Sequence, residues 1–205
     1  YRGFGEEAGL AARPDRGRLV MSIKKALETL KTGGIIVYPT ETAYGVGVKA
    51  LDENAVEKVY EVKNRPKSKP LTVICASLEQ VEKYAELTEN ERKLIEEFMP
   101  GPLTLVVEKK DTVPDNLNQK FVFRISSSET ARALAENFPI TATSANISGN
   151  STSYSVDDIS EELLDKVDYI LDDGELPGGP TSTIAEVMNG DVVIHRKGPV
   201  REGEL

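Results

Sequence analysis

The stretch GIIVYPTETAYGVGV, residues 34–48, joins a short apolar run to a polar loop and then to a second, glycine-interrupted segment. The run GIIVY (34–38) is rich in β-branched residues, which favours a buried strand. PTETAYG (39–45) follows directly and contains the residue types of a turn. Loops at strand ends are where an α/β scaffold displays its functional groups. This stretch therefore predicts a sheet and, at the edge of that sheet, a candidate site.

Helical and strand-like segments alternate along the rest of the chain. Regular structure is expected to begin at Met21, with Ser22 as the N-cap of the first helix. Apolar spacing predicts further helices at 53–63, 78–87, 89–99, 129–138 and 156–165, the last one capped by Ser155. Short apolar runs predict strands at 71–76, 103–110, 121–125, 139–146, 167–174, 182–188 and 191–196. Hairpins, one of them at the dipeptide Asn189-Gly190, and crossovers together predict an α/β or α+β sheet of about seven strands.

The composition is typical of one soluble domain. Hydrophobic residues make up 39% of the 205 residues and charged ones 29%, and no apolar run approaches the roughly 18 residues of a membrane helix. We interpret residues 1–20 as a mobile N-terminal extension and residues 21–205 as a single domain. The single cysteine, Cys75, and the single histidine, His195, exclude an internal disulfide and a Cys/His metal cluster. Both facts favour a reducing, cytoplasmic compartment, and no membrane partner is expected.

The familiar catalytic signatures are missing from the sequence. There is no Walker-type phosphate loop, and a chain with one histidine is not expected to form a Ser-His-Asp triad. His195 is therefore interpreted as an inter-strand or surface residue. GVG (45–47) is half of a dinucleotide-binding fingerprint and is interpreted as a bend. The pair DD (172–173) could hold a metal ion but is more typical of a turn.

The segment KNRPKSKPL (63–71) concentrates four cations in a chain whose formal net charge is −9. Its two prolines exclude a helix, so we expect an extended segment with its cations on one side. Such a cluster suits a phosphate ligand, and a solvated loop is the alternative. The acidic composition argues against an extended nucleic-acid interface but leaves room for a small cationic cleft.

Three further loops place hydroxyl and amide groups at predicted strand ends: PTETAYG (39–45), TSANISG (143–149) and GGPTSTI (178–184). Arg124 and Arg196 end two of the predicted strands. Together these groups contain no obvious general base, but they suit a polyphosphate ligand, whose chemistry mostly needs orientation and charge neutralisation. From the residues alone, a nucleotide or phosphate site and a set of ordinary turns remain equal alternatives.

The order and spacing of these motifs resemble those of the YrdC-like threonylcarbamoyl-AMP synthase family. The motifs are PTET-x-YG, K-x-R with a lysine four residues after the arginine, S-A-N, S-T-I and a final R-x-G-P, in register from about Ile23 to Val200. The resemblance implies the short, single-domain form, an α/β fold with a twisted open mixed sheet and flanking helices. It also implies a nucleotidyltransferase that condenses L-threonine, bicarbonate and ATP to threonylcarbamoyl-adenylate and pyrophosphate.

The resemblance further implies a cofactor and partners. Mg²⁺ is expected to accompany ATP, with no metal site formed by the protein itself. A separate threonylcarbamoyl transferase complex is expected to carry the product to tRNA. Two alternatives remain: a module of the same fold that binds tRNA or double-stranded RNA weakly, and a paralogue that forms another carbamoyl adenylate.

Carried over motif by motif, the resemblance assigns roles to the candidate residues. The nucleotide is expected to contact Lys63, Arg65, Lys69, Ser144, Asn146, Thr152 and Arg196. The catalytic set is Lys63, Arg65, Ser144 and Asn146. Threonine is expected to contact Thr42, Arg124, Ala142 and Ser182, with Arg124 binding the carboxylate.

Three features stand apart from the family pattern. Ile74 occupies the place where many relatives carry a histidine near the threonine pocket, so either a neighbouring group replaces that histidine or threonine binds less tightly. Lys67 is not required by the motif and is interpreted as solvated. The Ser-, Gly- and Asn-rich stretch 148–155 is a candidate lid.

Overall fold

The computed structural model describes residues 16–205, which form ten strands and six α-helices. The helices are α1 (Arg16–Lys31), α2 (Glu53–Val62), α3 (Leu78–Val81), α4 (Glu89–Phe98), α5 (Glu129–Ala135) and α6 (Glu161–Leu164). The strands are β1 (Ile36–Pro39), β2 (Tyr44–Gly47), β3 (Thr72–Cys75), β4 (Ala85–Glu86), β5 (Leu103–Lys109), β6 (Phe121–Ile125), β7 (Ile140–Ser144), β8 (Tyr169–Ile170), β9 (Thr183–Met188) and β10 (Asp191–Arg196).

All the strands belong to one mixed sheet. Their order is β10-β9-β5-β6-β3-β7-β2-β1-β8, and β4 pairs with β5 outside this row. The pairs β5–β9, β3–β6 and β1–β8 are parallel, and the remaining neighbours are antiparallel. The α/β fold with a mixed sheet and flanking helices is thus confirmed.

The two faces of the sheet carry different side chains. Along β6, Phe121 and Phe123 belong to the larger hydrophobic core, whereas Val122 and Arg124 face the other side. Apolar side chains of α2 and α4 cover the first face. Helices α1 and α5 cover only part of the second face, where Ile74 is fully buried beneath them. The uncovered part of that face forms the floor of a cavity.

Local sequence signals set several element ends as predicted. Ser77 caps α3, and Thr88 caps α4 in a capping box with Glu91. Asn189 and Gly190 have φ values of 54° and 93° in the turn between β9 and β10. Two positive φ values are what a two-residue hairpin turn of this type requires, so the hairpin is confirmed.

The first helix begins earlier than predicted. It starts at Arg16 rather than Met21, so Ser22 lies inside the helix and does not cap it. The preceding residues RGRLV are mostly good helix formers, which explains the extension. Residues 16–20 of the predicted mobile extension are thus helical, and its first fifteen residues lie outside the described residues.

Two predicted helices are broken by tertiary contacts. In 78–87 the helix ends at Val81, and β4 pairs with β5 in antiparallel register. In 156–165 Ser155 is the N-cap, as predicted, but of a 3₁₀ turn, Val156–Asp158, and the short helix α6 begins only after Ser160. Ile159 between them is extended and buried in the main core. Sheet pairing and core burial override helix propensity at both places.

The sheet has ten strands rather than about seven. The strands without a predicted counterpart are β2 and β4, and β4 has only two residues, which is too few for a clear periodicity. The strand predicted at 167–174 is present but has only the two residues of β8. GVG (45–47), interpreted as a bend, forms most of β2. A Cβ on Gly47 would lie 2.6 Å from Cε1 of Tyr38, so the close packing of this strand requires glycine. Within residues 16–205, the length and polarity of every helix are incompatible with a bilayer span.

Candidate functional site

A concave cavity of about 680 Å³ occupies the uncovered part of the sheet face. Its size falls in the usual range for ligand sites. Most of the predicted site residues line it: Thr42, Arg65, Lys69, Arg124, Ala142, Ser144, Ser182 and Arg196. Three predicted residues, Lys63, Asn146 and Thr152, are not part of its wall. Loops that are distant in sequence therefore converge at one cavity, as the sequence motifs predicted.

The cavity is cationic although the chain as a whole is acidic. Six lysine and arginine side chains line it, against one carboxylate, that of Glu186. Burial, together with the charges of Arg124 and Arg65, lowers the pKa of Arg196. Burial also lowers the pKa of Arg65. Because a bound polyanion would offset both desolvation and mutual repulsion, the wall suits a polyphosphate.

The segment KNRPKSKPL (63–71) is not extended, contrary to the prediction. Asn64 has a φ of 48°, the left-handed conformation that often ends a helix, and it follows Lys63, the C-cap of α2. Arg65 then folds back on the segment: its Nε and Nη2 donate to the backbone oxygens of Lys69 and Pro70, at 3.2 and 2.7 Å. Arg65, Lys67 and Lys69 nevertheless reach one cavity, as the predicted shared side required, and only Lys63 lies apart from it.

The cations of this segment therefore have different environments. Arg65 and Lys69 line the cavity, as predicted for phosphate ligands. Lys67 also borders it, but 67% of its side chain is exposed and it pairs with Glu57. An exposed pair of this kind contributes little to stability.

Lys63 is fully buried, and protein oxygens surround its ammonium group. Its Nζ donates to the backbone oxygen of Ser144, to the backbone oxygen of Asn146 at 2.5 Å and to Oδ1 of Asn146 at 3.3 Å. In return, the backbone N–H of Ser148 donates to the oxygen of Lys63 at 2.9 Å. Burial and, secondarily, the charge of Arg65 lower the pKa of Lys63 to about 7. Lys63 thus organises the TSAN loop, and its direct contact with phosphate stays a prediction.

The TSAN loop (143–146) presents Ser144 to the cavity. Oγ of Ser144 donates to Oδ1 of Asn146 at 2.6 Å, and Nδ2 of Asn146 donates to the oxygen of Asn150 at 2.5 Å. These bonds engage the Asn146 amide within the loop, which explains why it is absent from the cavity wall. Thr152 is partly exposed beyond this loop.

The candidate lid 148–155 is anchored near its C-terminal end. Ser153 is buried, and its Oγ donates to the oxygen of Ala145 at 2.9 Å. Its own carbonyl accepts from the N–H of Tyr44, in β2, at 3.0 Å. Any lid movement would therefore be confined to the residues before Ser153.

Arg196 and Ser182 form one unit at the end of the C-terminal hairpin. Nε and Nη2 of Arg196 donate to the oxygen of Ser182 at 3.0 and 2.8 Å, and Nη2 also contacts its Oγ at 3.0 Å. Ser182 Oγ bonds Thr104 Oγ1 at 2.8 Å. A shift in register between Ile194 and Arg196 lets the adjacent residues His195 and Arg196 both line the cavity.

Close packing explains why the final R-x-G-P motif has a glycine at position 198. A Cβ on Gly198 would lie 2.4 Å from the oxygen of Thr181 and from the nitrogen of Thr183. Thr183 Oγ1 in turn bonds the backbone N–H and oxygen of Val200, at 3.1 and 2.8 Å. The C-terminal segment therefore packs backbone against backbone on the S-T-I motif, and only glycine allows this approach.

Arg124 reaches the cavity from β6 and meets the PTET loop there. Its Nη1 donates to Thr42 Oγ1 at 3.3 Å, and its side chain is 5% exposed. Thr40 Oγ1 accepts from the N–H groups of Thr42 and Ala43, both at 3.2 Å, and so fixes the loop. The predicted threonine ligands Thr42 and Arg124 are thus in contact with each other.

The sequence interpretation missed a charged group at the wall of the cavity. Lys120 Nζ lies 2.8 Å from Glu186 Oε1 and 2.7 Å from Glu108 Oε1, and His195 Nε2 lies 2.7 Å from Glu186 Oε2. The two glutamates raise the pKa of Lys120. Burial alone would raise the pKa of Glu186, but its contacts with Lys120 and His195 outweigh burial and lower this pKa. His195 is an inter-strand residue, as predicted, and it also borders the cavity. No local motif signals this group, because its members come together only through sheet pairing.

Ile74 lies beside the cavity but not in its wall. It is opposite Arg124 in the parallel pair β3–β6 and is fully buried in the smaller core under α1 and α5. Thr72, two residues earlier on the same face of β3, does line the cavity. Helix packing therefore begins at Ile74, where the open part of the face ends.

The described residues contain no group of three or more His, Cys, Asp or Glu side chains that could hold a metal ion. Asp172 accepts hydrogen bonds from Tyr44 and from the backbone of Gly174, as expected for a turn. Glu186, the carboxylate of the cavity, is already bonded to Lys120 and His195.

The mixed sheet and the cationic cavity beside its loops define an α/β protein whose cavity suits a nucleotide or another phosphorylated ligand. Residues 28–198 match the model of the family described as telomere recombination, Sua5/YciO/YrdC. The chain belongs to this family, which confirms the resemblance seen in the motifs.

Named relatives support the same assignment. The chain is 38% identical over 182 residues to a putative threonylcarbamoyl-AMP synthase of Methanocaldococcus jannaschii, covering 86% of this chain and 87% of that protein. It is 38% identical over 190 residues to the threonylcarbamoyl-AMP synthase of Pyrococcus abyssi, of which it spans 56%, while 89% of this chain is covered. The crystal structure of P. abyssi Sua5 in complex with L-threonine superimposes with a TM-score of 0.82 at 38% identity, over 86% of this chain and 54% of that one.

Proposed function

We propose that this protein is a threonylcarbamoyl-AMP synthase, which converts L-threonine, bicarbonate and ATP to threonylcarbamoyl-adenylate, pyrophosphate and water. The observation that carries the proposal is the cationic cavity, in which Arg65 and Lys69 of one motif lie with Arg124 and Thr42 of others. Relatives that carry this activity by name are 38% identical to the chain.

The reaction needs two anions to be held together. The amine of threonine adds to bicarbonate to give a carbamate with loss of water, and a carbamate oxygen then attacks the α-phosphorus while pyrophosphate leaves. Arg65, Lys69 and Arg196 bind the phosphates in this proposal, and Ser144 donates to a phosphate oxygen. Their charge stabilises the departing pyrophosphate without a dedicated base.

Threonine binds next to the phosphates in the same cavity, since Ser182 of the threonine set contacts Arg196 of the phosphate set. The Arg124 guanidinium binds its carboxylate, since a charged pair with fixed geometry suits that planar group. Thr42 and Ser182 lie beside it and provide hydroxyl groups, and Ala142 contributes the floor from β7. In this arrangement the amine of threonine and the α-phosphate of ATP face each other within the cavity.

Lys63 and Asn146 act on the nucleotide mainly by shaping the loop that carries Ser144. The short bonds from Lys63 Nζ support this role. Thr152 follows the same loop and reaches the nucleotide only if residues 148–152 close over it. This closure is the proposed form of the lid.

Mg²⁺ enters with ATP in this proposal. It neutralises charge on the triphosphate when bound, and it takes its ligands chiefly from phosphate oxygens and water. The described residues around the cavity contribute cations rather than a carboxylate cluster, which fits a metal ion carried by the substrate.

The proposal is tested by pyrophosphate release from MgATP with bicarbonate, in the presence and absence of L-threonine. We expect release to require L-threonine and to be much slower with L-serine or L-alanine. Release that is independent of threonine would refute the substrate assignment. Release supported equally by all three amino acids would point to a paralogue with another acceptor.

We also propose that the product is used in the cytoplasm, where a separate transferase complex moves its threonylcarbamoyl group to tRNA. Direct RNA binding by this chain would be weak and electrostatic, because Tyr44 is the only Phe, Tyr or Trp among the described residues of the cavity wall. Its affinity for tRNA should fall steeply with salt. Tight binding that persists at high salt would favour the RNA-binding alternative.

A further inference from the structure

Next to Arg124 lies the largely buried carboxylate of Glu41, a residue of the PTET motif to which the sequence analysis assigns no role. Oε1 of Glu41 lies 3.5 Å from Nη1 of Arg124, and Oε2 accepts a hydrogen bond from Ser126 Oγ. The side chains of Arg124 and Glu41 are 5% and 16% exposed. Glu41 is not part of the cavity wall, although its neighbours Thr40 and Thr42 are. The carboxylate therefore faces the arginine from the protein side.

The guanidinium is otherwise weakly restrained. Apart from Glu41, Nη1 meets only Thr42 Oγ1, at 3.3 Å, and Nε is buried without a hydrogen-bond partner among the described residues. Arg196 adds like charge nearby, since Arg124 and Arg65 both lower its pKa, and Arg65 lines the same cavity. Without a counter-charge behind it, Arg124 would be pushed away from these cations.

The rigid PTET loop holds Glu41 in this position. Thr40 Oγ1 bonds the N–H groups of Thr42 and Ala43, so the loop turns sharply after Glu41. Glu41 consequently lies behind Arg124, while Thr42 lies at the cavity side of it. Ser126, at the end of β6, is itself fully buried and fixes the second carboxylate oxygen.

We propose that Glu41 is a positioning residue: it holds the Arg124 guanidinium so that the remaining N–H groups meet the carboxylate of the amino-acid substrate. This inference rests on the proposed function, in which Arg124 binds threonine. Glu41 acts through Arg124 and does not touch the substrate. Its removal should therefore weaken threonine binding and leave ATP binding unchanged.

The test is the steady-state kinetics of pyrophosphate release at varied L-threonine and varied ATP, for Glu41→Ala and Glu41→Gln. We expect the KM for threonine to rise about tenfold in Glu41→Ala, with the KM for ATP within about twofold of the parent. Glu41→Gln keeps one oxygen, which can face Arg124 while the amide NH2 faces Ser126, but loses the charge, so its KM for threonine should rise less than in Glu41→Ala. Should Glu41→Ala fail to fold by circular dichroism, Glu41→Gln carries the test with the same split between the two KM values.

Glu82→Ala is the matched control, because it removes the carboxylate partner of another arginine, Arg92, outside the cavity wall. It should change neither KM. An unchanged KM for threonine in the Glu41 variants would overturn the inference alone, and so would an equal rise in both KM values. A parent protein that shows no threonine-dependent release would overturn the proposed function and this inference together.

Discussion

The ammonium group of Lys63 donates a hydrogen bond to the backbone oxygen of Asn146 across 2.5 Å, and so ties the K-x-R motif to the S-A-N motif. Two motifs that are far apart in sequence are in this way one structural unit. The bond also leaves a lysine fully buried, with a pKa lowered to about 7. The lysine therefore titrates near neutral pH, close to the proposed phosphate site.

Binding of ATP should be accompanied by proton uptake. At about pH 8 most Lys63 side chains are neutral in the free protein, because their pKa is about 7. A triphosphate nearby favours the charged form and raises this pKa, so the protein takes up roughly half a proton or more. Titration calorimetry in buffers of different ionisation enthalpy measures this uptake directly.

Lys63→Arg is the control for proton uptake, because its guanidinium stays charged throughout this pH range. Its apparent binding enthalpy should be nearly independent of the buffer. If the enthalpy of the parent protein is equally independent of the buffer, the titration assigned to Lys63 is wrong.

Arg65→Ala should reduce kcat/KM for ATP by at least about tenfold, since a charge-assisted bond contributes on the order of 1.5–3 kcal/mol. The variant loses a cavity cation and also the two bonds that fold the 63–71 segment. The fold should remain intact by circular dichroism, because Arg65 lies in a surface loop. Arg92→Ala, which removes an arginine outside the cavity wall, should keep the parental value. Unaltered ATP kinetics in Arg65→Ala would refute the phosphate assignment.

Gly198→Ala should destabilise the protein by about 1–3 kcal/mol, as overpacking usually does. The new Cβ would meet backbone atoms of Thr181 and Thr183 at 2.4 Å, and these atoms cannot move aside freely. Since the displaced segment carries Ser182, whose oxygen atoms hold the proposed phosphate ligand Arg196, kcat/KM for ATP should fall as well. Gly203→Ala has no heavy atom within 4 Å of its Cβ and is the matched control. Denaturant unfolding of both variants checks the difference, and equal stabilities would contradict the packing argument.

Local signals in the sequence were enough to predict much of the fold. The capping residues Ser77 and Thr88 and the turn at Asn189-Gly190 lie where they were expected, because each acts within a few residues of itself. The strand β4 was missed because only its pairing with β5 explains it. The motifs likewise predicted which loops converge at the cavity.

Environments created by distant residues could not be predicted. Lys63 has the same residue type as its exposed neighbours, and its burial depends on oxygens more than eighty positions away in the chain. Lys120 and Glu186 are 66 positions apart and meet through the sheet. Glu41 stood inside a recognised motif, but its contact with Arg124 depends on how β6 lies against the PTET loop.

Direct detection of the product tests the central claim. The protein is incubated with MgATP, L-threonine and ¹³C-labelled bicarbonate, and the reaction is analysed at once by liquid chromatography and mass spectrometry. We predict a threonylcarbamoyl-adenylate that carries the ¹³C label and is absent when threonine is omitted or when Arg124→Ala replaces the parent. Formation of AMP or ADP without any labelled threonylcarbamoyl-adenylate would contradict the account.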